Sequence, residues 1–220
     1  NYWEPFLNYG SNSKYGIAGI YGAPVSNLLL DDYSGSSLAL SVRKLDKDYS
    51  GSCMRIRRDS DDSETDIGFD SSGDLDTSAI ATHCGSANGY CVTWYDQSGN
   101  SVNATQSTGG SQPQIYNGSA VITEGSKPAL DHDGSRWLTL GVSDLSNTNL
   151  FAEPSDPFAA MCVAKYDDTS GSGGGTIFSK ATSTGSQRTL QIAHIAPSFI
   201  STRFRGSETK TAEPSDLHII

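Results

Sequence analysis

Thr93-Trp94-Tyr95-Asp96-Gln97-Ser98-Gly99-Asn100 is the stretch that decides the fold. It reads as a strand running into a tight turn. Asp96 can close an Asx-type turn, Gly99 can supply a positive φ, and Trp94 and Tyr95 point to opposite faces of an extended chain. Working outward, Tyr90–Tyr95 is the strand that leads into it, and Trp94 is read as core, sharing a face with Val92. Upstream, residues 77–83 form a short helix capped by Asp76 or Thr77, with Ala79, Ile80 and His83 on one face. Further upstream, Met54–Arg58 and Thr65–Phe69 flank Asp59–Glu64 as a hairpin. Leu38, Leu40 and Val42 alternate with polar neighbours at period two, a strand signature.

Downstream the same grammar continues. Strands are expected at Ala120–Ile122, Ala129–Asp131, Trp137–Leu140, Phe158–Tyr166, Thr176–Lys180, Thr189–His194 and Phe199–Phe204. Ser107–Ser111, Asp133-Gly134 and Ser170–Gly175 read as turns, with a hairpin turning at Asp133-Gly134 and another tip in the Gly-rich run. Many short strands with few helices predict an all-β chain, an antiparallel β-sandwich with one short helix. Composition agrees: of 220 residues, 35% are AVILMFWYC and 23 are Gly, which suits short strands joined by many turns.

Charge narrows the function. With 25 acidic and 15 basic residues the formal net charge is −10, which argues against nucleic acid and against an anionic membrane surface. No apolar run reaches the roughly 20 residues of a membrane helix. Residues 1–22 carry six aromatics (Tyr2, Trp3, Phe6, Tyr9, Tyr15, Tyr21) with no helical or strand period. Such a segment, residues 1–27 in all, is an arm that lies either over its own domain or on a neighbouring subunit. The sandwich is assigned to 28–220. The start at Asn1 without Met and the strand-like end Leu217–Ile220 lead us to expect a piece of a longer chain.

Motifs for cofactor chemistry are sparse. His83, His132, His194 and His218 occur singly, without the spacing of a zinc site. Asp59, Asp61, Asp62, Glu64 and Asp66 are dense enough for calcium but do not follow an EF-hand, so a solvated acidic loop is expected, with Arg55 and Arg57 facing acids across the ladder. No cofactor is assigned. Cys53 and Cys162 read as small buried residues on strands. Cys84 and Cys91 flank a six-residue loop that a disulfide closes only if the loop doubles back. Asn103-Ala-Thr105 and Asn117-Gly-Ser119 are glycosylation sequons.

Trp94–Asn100 (WYDQSGN) is followed by Asn103–Gln106 (NATQ). It is preceded by SVRKL at 41–45, RIRR at 55–58, DIGF at 66–69 and LDTSAI at 75–80. Together these strings resemble the concanavalin-A-like, laminin-G-like domains, and are similar to the catalytic domain of the α-L-arabinofuranosidase B family. Cousins of this segment occur in phage and bacterial surface proteins. The resemblance runs from about Leu28 to the C-terminal end and implies a jelly roll of two antiparallel sheets with a concave, sugar-facing side. It also implies a Cys84–Cys91 disulfide, matching a short bridge that the family has before its YDQSGN string.

The family's catalytic residues do not carry over. Its nucleophile lies in an Asp-Met-Glu-Asn strand that aligns with Phe199–Arg205, where this chain has Arg203 and Arg205. Its vicinal cysteine pair aligns with Thr176-Ile177. A retaining glycosidase needs two carboxylates about 5 Å apart, and the nearest acids, Glu208, Glu213 and Asp216, are read as lying in a turn-rich stretch past the strand. The resemblance therefore implies a non-catalytic module of a virion fibre or an extracellular surface protein. By analogy of fold its ligand is a cell-surface glycan, with Tyr95, Asp96, Gln97, Asn100 and Trp137 as ligand-binding residues. The arm at 1–22 would contact other subunits in a homo-oligomer. The rivals are a glycoside hydrolase whose acids lie beyond Ile220 and a purely structural capsid or tail component.

Overall fold

Alternation sets the first hairpin. In β1 (Met54–Arg58) Met54 and Ile56 are buried while the arginines between them reach outward. Its partner β2 (Glu64–Ile67) places Asp66 opposite Arg55 and Ile67 opposite Met54. β3 (Asn88–Trp94) runs antiparallel to β1 on the other side, and the register slips once there. Arg55 faces Thr93 and Ile56 faces Cys91, so Val92 is left over as a bulge. An extra residue on one strand reverses the side-chain parity. That is how Cys91 and Trp94, three positions apart, both come to the apolar side. Trp94 packs against the core as expected, but it shares that side with Met54 and Cys91 through the bulge.

The computed structural model describes residues 27–140, 161–165, 175–181, 188–195, 199–204 and 207–212. The chain divides into two compact units, Asn1–Leu150 and Phe151–Ile220. In the first, a six-stranded antiparallel sheet has the order β2-β1-β3-β4-β8, with β5 also pairing β3. Here β4 is Ala104–Thr105, β5 is Gln114–Asn117 and β8 is Thr139–Leu140. β6 (Thr123–Glu124) and β7 (Lys127–Pro128) form a small separate hairpin. A four-residue turn of helix, α1 (Leu29–Asp32), stands where a β pattern was expected to begin. The main helix, α2 (Thr77–Cys84), is capped by Asp76, whose side chain accepts from Ala79 N at 2.9 Å. It buries Ile80 and Cys84, while His83 stands half-buried with Nε2 3.2 Å from Ser63 O. The core joins these two to Met54, Ile56, Ile67, Leu75, Cys53, Cys91, Ile115 and Tyr116.

In the second unit, β9 (Gly175–Ala181), β10 (Arg188–Ile195), β11 (Phe199–Phe204) and β12 (Ser207–Ala212) form an antiparallel meander. β9 to β11 coincide with the expected strands. β12 was not foreseen, and it corrects one reading: Glu208 lies on a strand, directly opposite Arg203, not in a turn. The described chain is thus all-β and antiparallel, the class expected of a β-sandwich, with one helix of more than a single turn.

Further expectations shift. Residues 38–42 form no strand; the alternation there has another cause, described below. Residues 120–122 and 129–131 make only isolated bridges, Tyr116 with Val121 and Gln114 with Asp131. Asp133-Gly134 does turn, with φ of 38° and 76°, but the flanking strands pair elsewhere: β7 with β6 and β8 with β4. Residues 161–165, within the strand expected at Phe158–Tyr166, belong to no helix or strand. The arm at 1–26, most of the Gly-rich run at 170–175, Arg205, Glu213, Asp216 and His218 lie outside the described residues.

The cause at 38–45 is a clasp made by side chains. Asp96 is 5% exposed. Its Oδ1 accepts from Ala39 N (2.8 Å) and Ser98 N (2.9 Å), and its Oδ2 accepts from Ser98 Oγ (2.7 Å) and Val102 N (3.0 Å). Gln97 Nε2 donates to Ser41 O (3.1 Å) and Arg43 O (2.9 Å), and its Oε1 accepts from Leu45 N (2.8 Å). Trp94 Nε1 adds a bond to Ser41 O at 3.2 Å. The backbone groups of 39–45 thus find partners in these side chains and in scattered backbone bonds, such as Lys44 N to Gly73 O and Leu75 N to Val42 O, instead of a continuous ladder, as buried amides must find them somewhere. Gln97→Glu would turn a donor into a carboxylate oxygen facing two carbonyls. We expect a loss of roughly 2–4 kcal/mol, since each buried polar group left unmatched costs about 1–3. Asp96→Ala should cost a similar amount, and urea denaturation of both variants checks this.

Candidate functional site

The five residues expected to bind ligand fall into two groups. Asp96 and Gln97 are buried, and their hydrogen-bonding atoms are taken up by the clasp. Asn100 continues it, with Nδ2 donating to Ser36 O (3.0 Å) and Ser37 O (3.3 Å). Tyr95 lies at the sheet edge, where its hydroxyl donates to Asp66 Oδ1 at 2.8 Å. Burial, with that carboxylate beside it, pushes the Tyr95 phenol up to about 12. Trp137 is different. It is 53% exposed, and it is held by its backbone: Trp137 N donates to Ser111 O (3.0 Å) and Gln106 Nε2 donates to Trp137 O (3.3 Å). The structure therefore brings Asp96, Gln97 and Asn100 together as a structural knot and sets Trp137 apart with an exposed ring.

Ser111 belongs to the 107–112 segment, which with the 59–64 turn encloses a shallow cleft of about 500 Å³. Sequence reasoning did not find it, because its walls come from segments some fifty residues apart. Its floor is Arg57, whose side chain is only 11% exposed. Arg57 Nε donates to Gln112 Oε1 (2.8 Å), and Nη1 pairs with Asp62 Oδ1 (2.6 Å) and Asp59 Oδ1 (3.4 Å). The guanidinium stands 5.1 Å from the Tyr90 ring centroid, and Arg136 stands 5.2 Å from the same ring. Cation–π contacts of this kind hold a guanidinium in place where few polar partners reach it. Arg136 in turn pairs with Asp133 at 3.2 Å. A Cβ on Gly109 would meet Arg57 Nη2 at 3.4 Å, so the 3₁₀ turn Gly109–Ser111 lies close over the guanidinium. A planar cation, the carboxylates of Asp59, Asp62 and Glu64, and glycine backbone thus line a polar cleft, and the 107–112 segment on one side of it also bonds the backbone of Trp137.

The acidic loop is mostly accounted for by arginines. Arg55 grips Asp66 through Nε (2.8 Å) and Nη2 (2.9 Å), as the cross-strand reading expected. Arg58 grips Asp61 at 2.9 and 2.6 Å. Arg57 faces Glu64 across the ladder, but its ion pairs are with Asp59 and Asp62 in the turn. The Arg58 guanidinium, with help from Ser63, holds the Asp61 carboxyl far below the usual carboxylate range, and Arg55 lowers Asp66. Among the described residues no cluster of three metal-ligating side chains occurs.

Cys84 and Cys91 are free, buried thiols, in place of the bridge that the resemblance implies. The loop between them does double back, but it sets Cys84 Sγ beside Gly89, where a Cβ would be 2.7 Å away. Cys91 lies two residues further along β3, about 6–7 Å beyond Gly89. Burial pushes Cys53 up to about 12 and raises Cys84 and Cys91 as well. Of the two sequons, Asn117 is exposed, whereas Asn103 is half-buried and its Oδ1 accepts from Asp96 N at 3.0 Å.

With the geometry in place, comparison with known proteins locates the similarity. The family model described as alpha-L-arabinofuranosidase B, catalytic, matches residues 36–143. Among solved structures, a GH54 α-L-arabinofuranosidase soaked with a cyclic sulfate inhibitor is 32% identical over 42% of this chain and 18% of that one, with a TM-score of 0.32. This chain thus spans about a fifth of that enzyme's length. No curated protein matches. The chain is similar to this family over the segment that holds the clasp and the cleft. β9 to β12, where the nucleophile strand was aligned, lie beyond the matched residues.

Two measurements follow from these groups. In the unreduced, unfolded protein we expect all four cysteines to react as thiols, and in the folded protein only Cys162 should alkylate readily. Unreactive Cys84 and Cys91 in the unfolded protein would restore the bridge. Because Asp61 and Asp66 are depressed in the folded state, their contribution to stability is present above the unfolded carboxylate value, about 3.9. It is lost as pH falls through the lower folded values. Melting temperature should hold steady from neutrality to about pH 5 and fall below about pH 4. Arg55→Gln with Arg58→Gln should flatten that fall.

Proposed function

We propose that this chain is a non-catalytic structural and adhesion module of a virion fibre, in the tail or the head, or of an extracellular surface protein, and that it binds host carbohydrate. The observation that carries the proposal is the exposed Trp137 ring, whose backbone N donates to Ser111 O in the 107–112 segment that walls the Arg57 cleft. An indole face covers the C–H face of a sugar ring, while carboxylates, amides and a guanidinium exchange hydrogen bonds with its hydroxyls. Support for a non-catalytic reading comes from the acids of the matched segment. Asp96 is saturated by four hydrogen bonds, and Asp59, Asp61, Asp62 and Asp66 are each tied to an arginine. Asp61 and Asp66, held down by Arg58 and Arg55, are poor proton donors, and glycoside cleavage needs one carboxyl kept protonated. In the second unit the aligned strand has Arg203 opposite Glu208, and a cation opposes an oxocarbenium-like state. The arm at 1–22 would join copies or neighbouring subunits of the assembly, each large aromatic removed from water contributing on the order of 2–3 kcal/mol.

The match to a catalytic-domain family favours a second reading, a hydrolase whose acids lie beyond Ile220, and one set of assays separates the two. Purified protein should retain oligosaccharides on a glycan array. Trp137→Ala should weaken that binding by about 2 kcal/mol, roughly thirtyfold, as central aromatic contacts do, with the melting temperature unchanged. Aryl-α-L-arabinofuranoside should not turn over. Turnover well above background that is lost on changing Glu208 would overturn the proposal, and absence of any glycan retention would leave the purely structural role. Deleting residues 1–22 should leave the rest folded and abolish assembly in sedimentation velocity.

A further inference from the structure

Asn-Gly occurs twice among the described residues, at Asn88-Gly89 and Asn117-Gly118, and the fold sets Asn88 and Asn117 opposite each other on β3 and β5. The two sites have opposite surroundings. Gly89 is buried in the middle of the sheet, paired with Arg58 on one side and Tyr116 on the other. Asn88 O accepts from Asp59 N at 2.9 Å, so the backbone on both sides of the peptide link is held. Asn117 is exposed at the end of β5, where the chain turns. Its Oδ1 accepts from Ala120 N (2.9 Å), Ser119 N (3.1 Å) and Ser119 Oγ (3.4 Å). The backbone bonds of the turn run from Asn117 N to Ala120 O and from Ile122 N to Ile115 O, leaving Gly118 N outside them.

We propose that Asn117 is a site of spontaneous covalent modification, deamidation through a succinimide, in the folded protein, while Asn88 is protected. Three donors on Oδ1 draw electron density from the side-chain carbonyl. They are already placed to stabilise the oxyanion that forms when a nucleophile adds there, the arrangement that acyl-transfer sites use. The nucleophile is Gly118 N, with no side chain on its own residue to screen it. Gly118 N bonds to Cγ of Asn117; the Cγ–Nδ2 bond breaks; the proton lost from Gly118 N leaves with Nδ2 as ammonia. Solvent water then opens the five-membered ring. Addition at the side-chain carbonyl gives an ordinary aspartate with a normal backbone. Addition at the main-chain carbonyl gives isoaspartate, which routes the chain through an extra methylene. Nothing is oxidised or reduced. Gly118 cannot be exchanged to avoid the reaction without disturbing the turn, since its φ is +85° and a Cβ would sit 2.9 Å from Ser86 O. The product adds a negative charge at the edge of the sheet and, as isoaspartate, breaks the register of β5 against Asn88.

The experiment ages the full chain in warm, mildly alkaline buffer, folded and in urea, and maps both sites by peptide mass spectrometry with isoaspartate detection. In the folded protein Asn117 should convert several-fold faster than Asn88, and in urea the two rates should converge. Ser119→Ala, which removes one of the three donors, should slow conversion at Asn117 in the folded protein. Equal rates at the two sites in the folded protein would overturn the proposal. So would an Asn117 that stays intact while folded over a time in which it converts in urea.

Discussion

The structure depends on one constraint: the backbone of residues 39–45 joins no strand ladder beyond a single bridge from Arg43 to Asp74, and the side chains of Trp94, Asp96 and Gln97 hold much of the rest. A carboxylate with four hydrogen bonds and an amide with three replace a ladder. Such a device couples distant parts of the chain more tightly than a strand pair does, because one side chain serves several backbone groups at once. It also ties the 39–45 segment to the end of β3, whose other edge carries β4, and through the bulge at Val92 to the core under Trp94. A loss at Gln97 is therefore felt by the segment, by the turn and by the sheet together.

How much of this was legible in the sequence depends on the range of the interactions. The hairpin read at 54–58 and 65–69, the helix read at 77–83 and its cap at Asp76 or Thr77 follow from patterns within a dozen residues, and the structure has them within one or two residues, with Asp76 as the cap. The Asx turn at Asp96 and the positive φ at Gly99 were also local, and both are present. The alternation at 38–42 misled because period two only says that faces differ; it does not say what satisfies the amides. β5 was missed since Gln114-Ile-Tyr-Asn117 is short and half polar, and its strand character comes from pairing with β3. The candidate ligand residues divide the same way. Asp96 and Gln97 looked like chemistry, being polar residues in a specific string, but Ala39, which takes up one Asp96 oxygen, and the 41–45 groups that occupy Gln97 lie more than fifty positions away. No local pattern shows that a buried carboxylate has been taken up by amides.

The Arg57 cleft shows the converse. Its residues looked bland one by one: a strand arginine, an acidic turn, a glycine-rich turn. What makes a site of them is the sheet, which brings β1, β3 and the 107–112 segment together so that Tyr90 supports two guanidiniums. Arg57 pairs with the turn acids beside it and not with Glu64, its partner in register. Side-chain reach over the Tyr90 ring, not ladder position, selects the partner.

The clasp and the cleft together bear on what similarity means for this chain. The string that makes the family recognisable, WYDQSGN, is the string whose side chains clasp the fold. Its residue types are those required to satisfy buried amides and carbonyls, to cap a turn and to fill the core beside a bulge. None of those tasks is catalytic. A chain can therefore keep the string, and with it the sheet, whatever occupies the strands that follow, and here the strand after β10 has Arg203 opposite Glu208. Folds carry function only through the sites built on them. The matched residues 36–143 include the segments 39–45, 54–67 and 88–106 that the clasp and the sheet hold together. Side chains that the clasp leaves open in this segment include the Trp137 ring and those that line the Arg57 cleft.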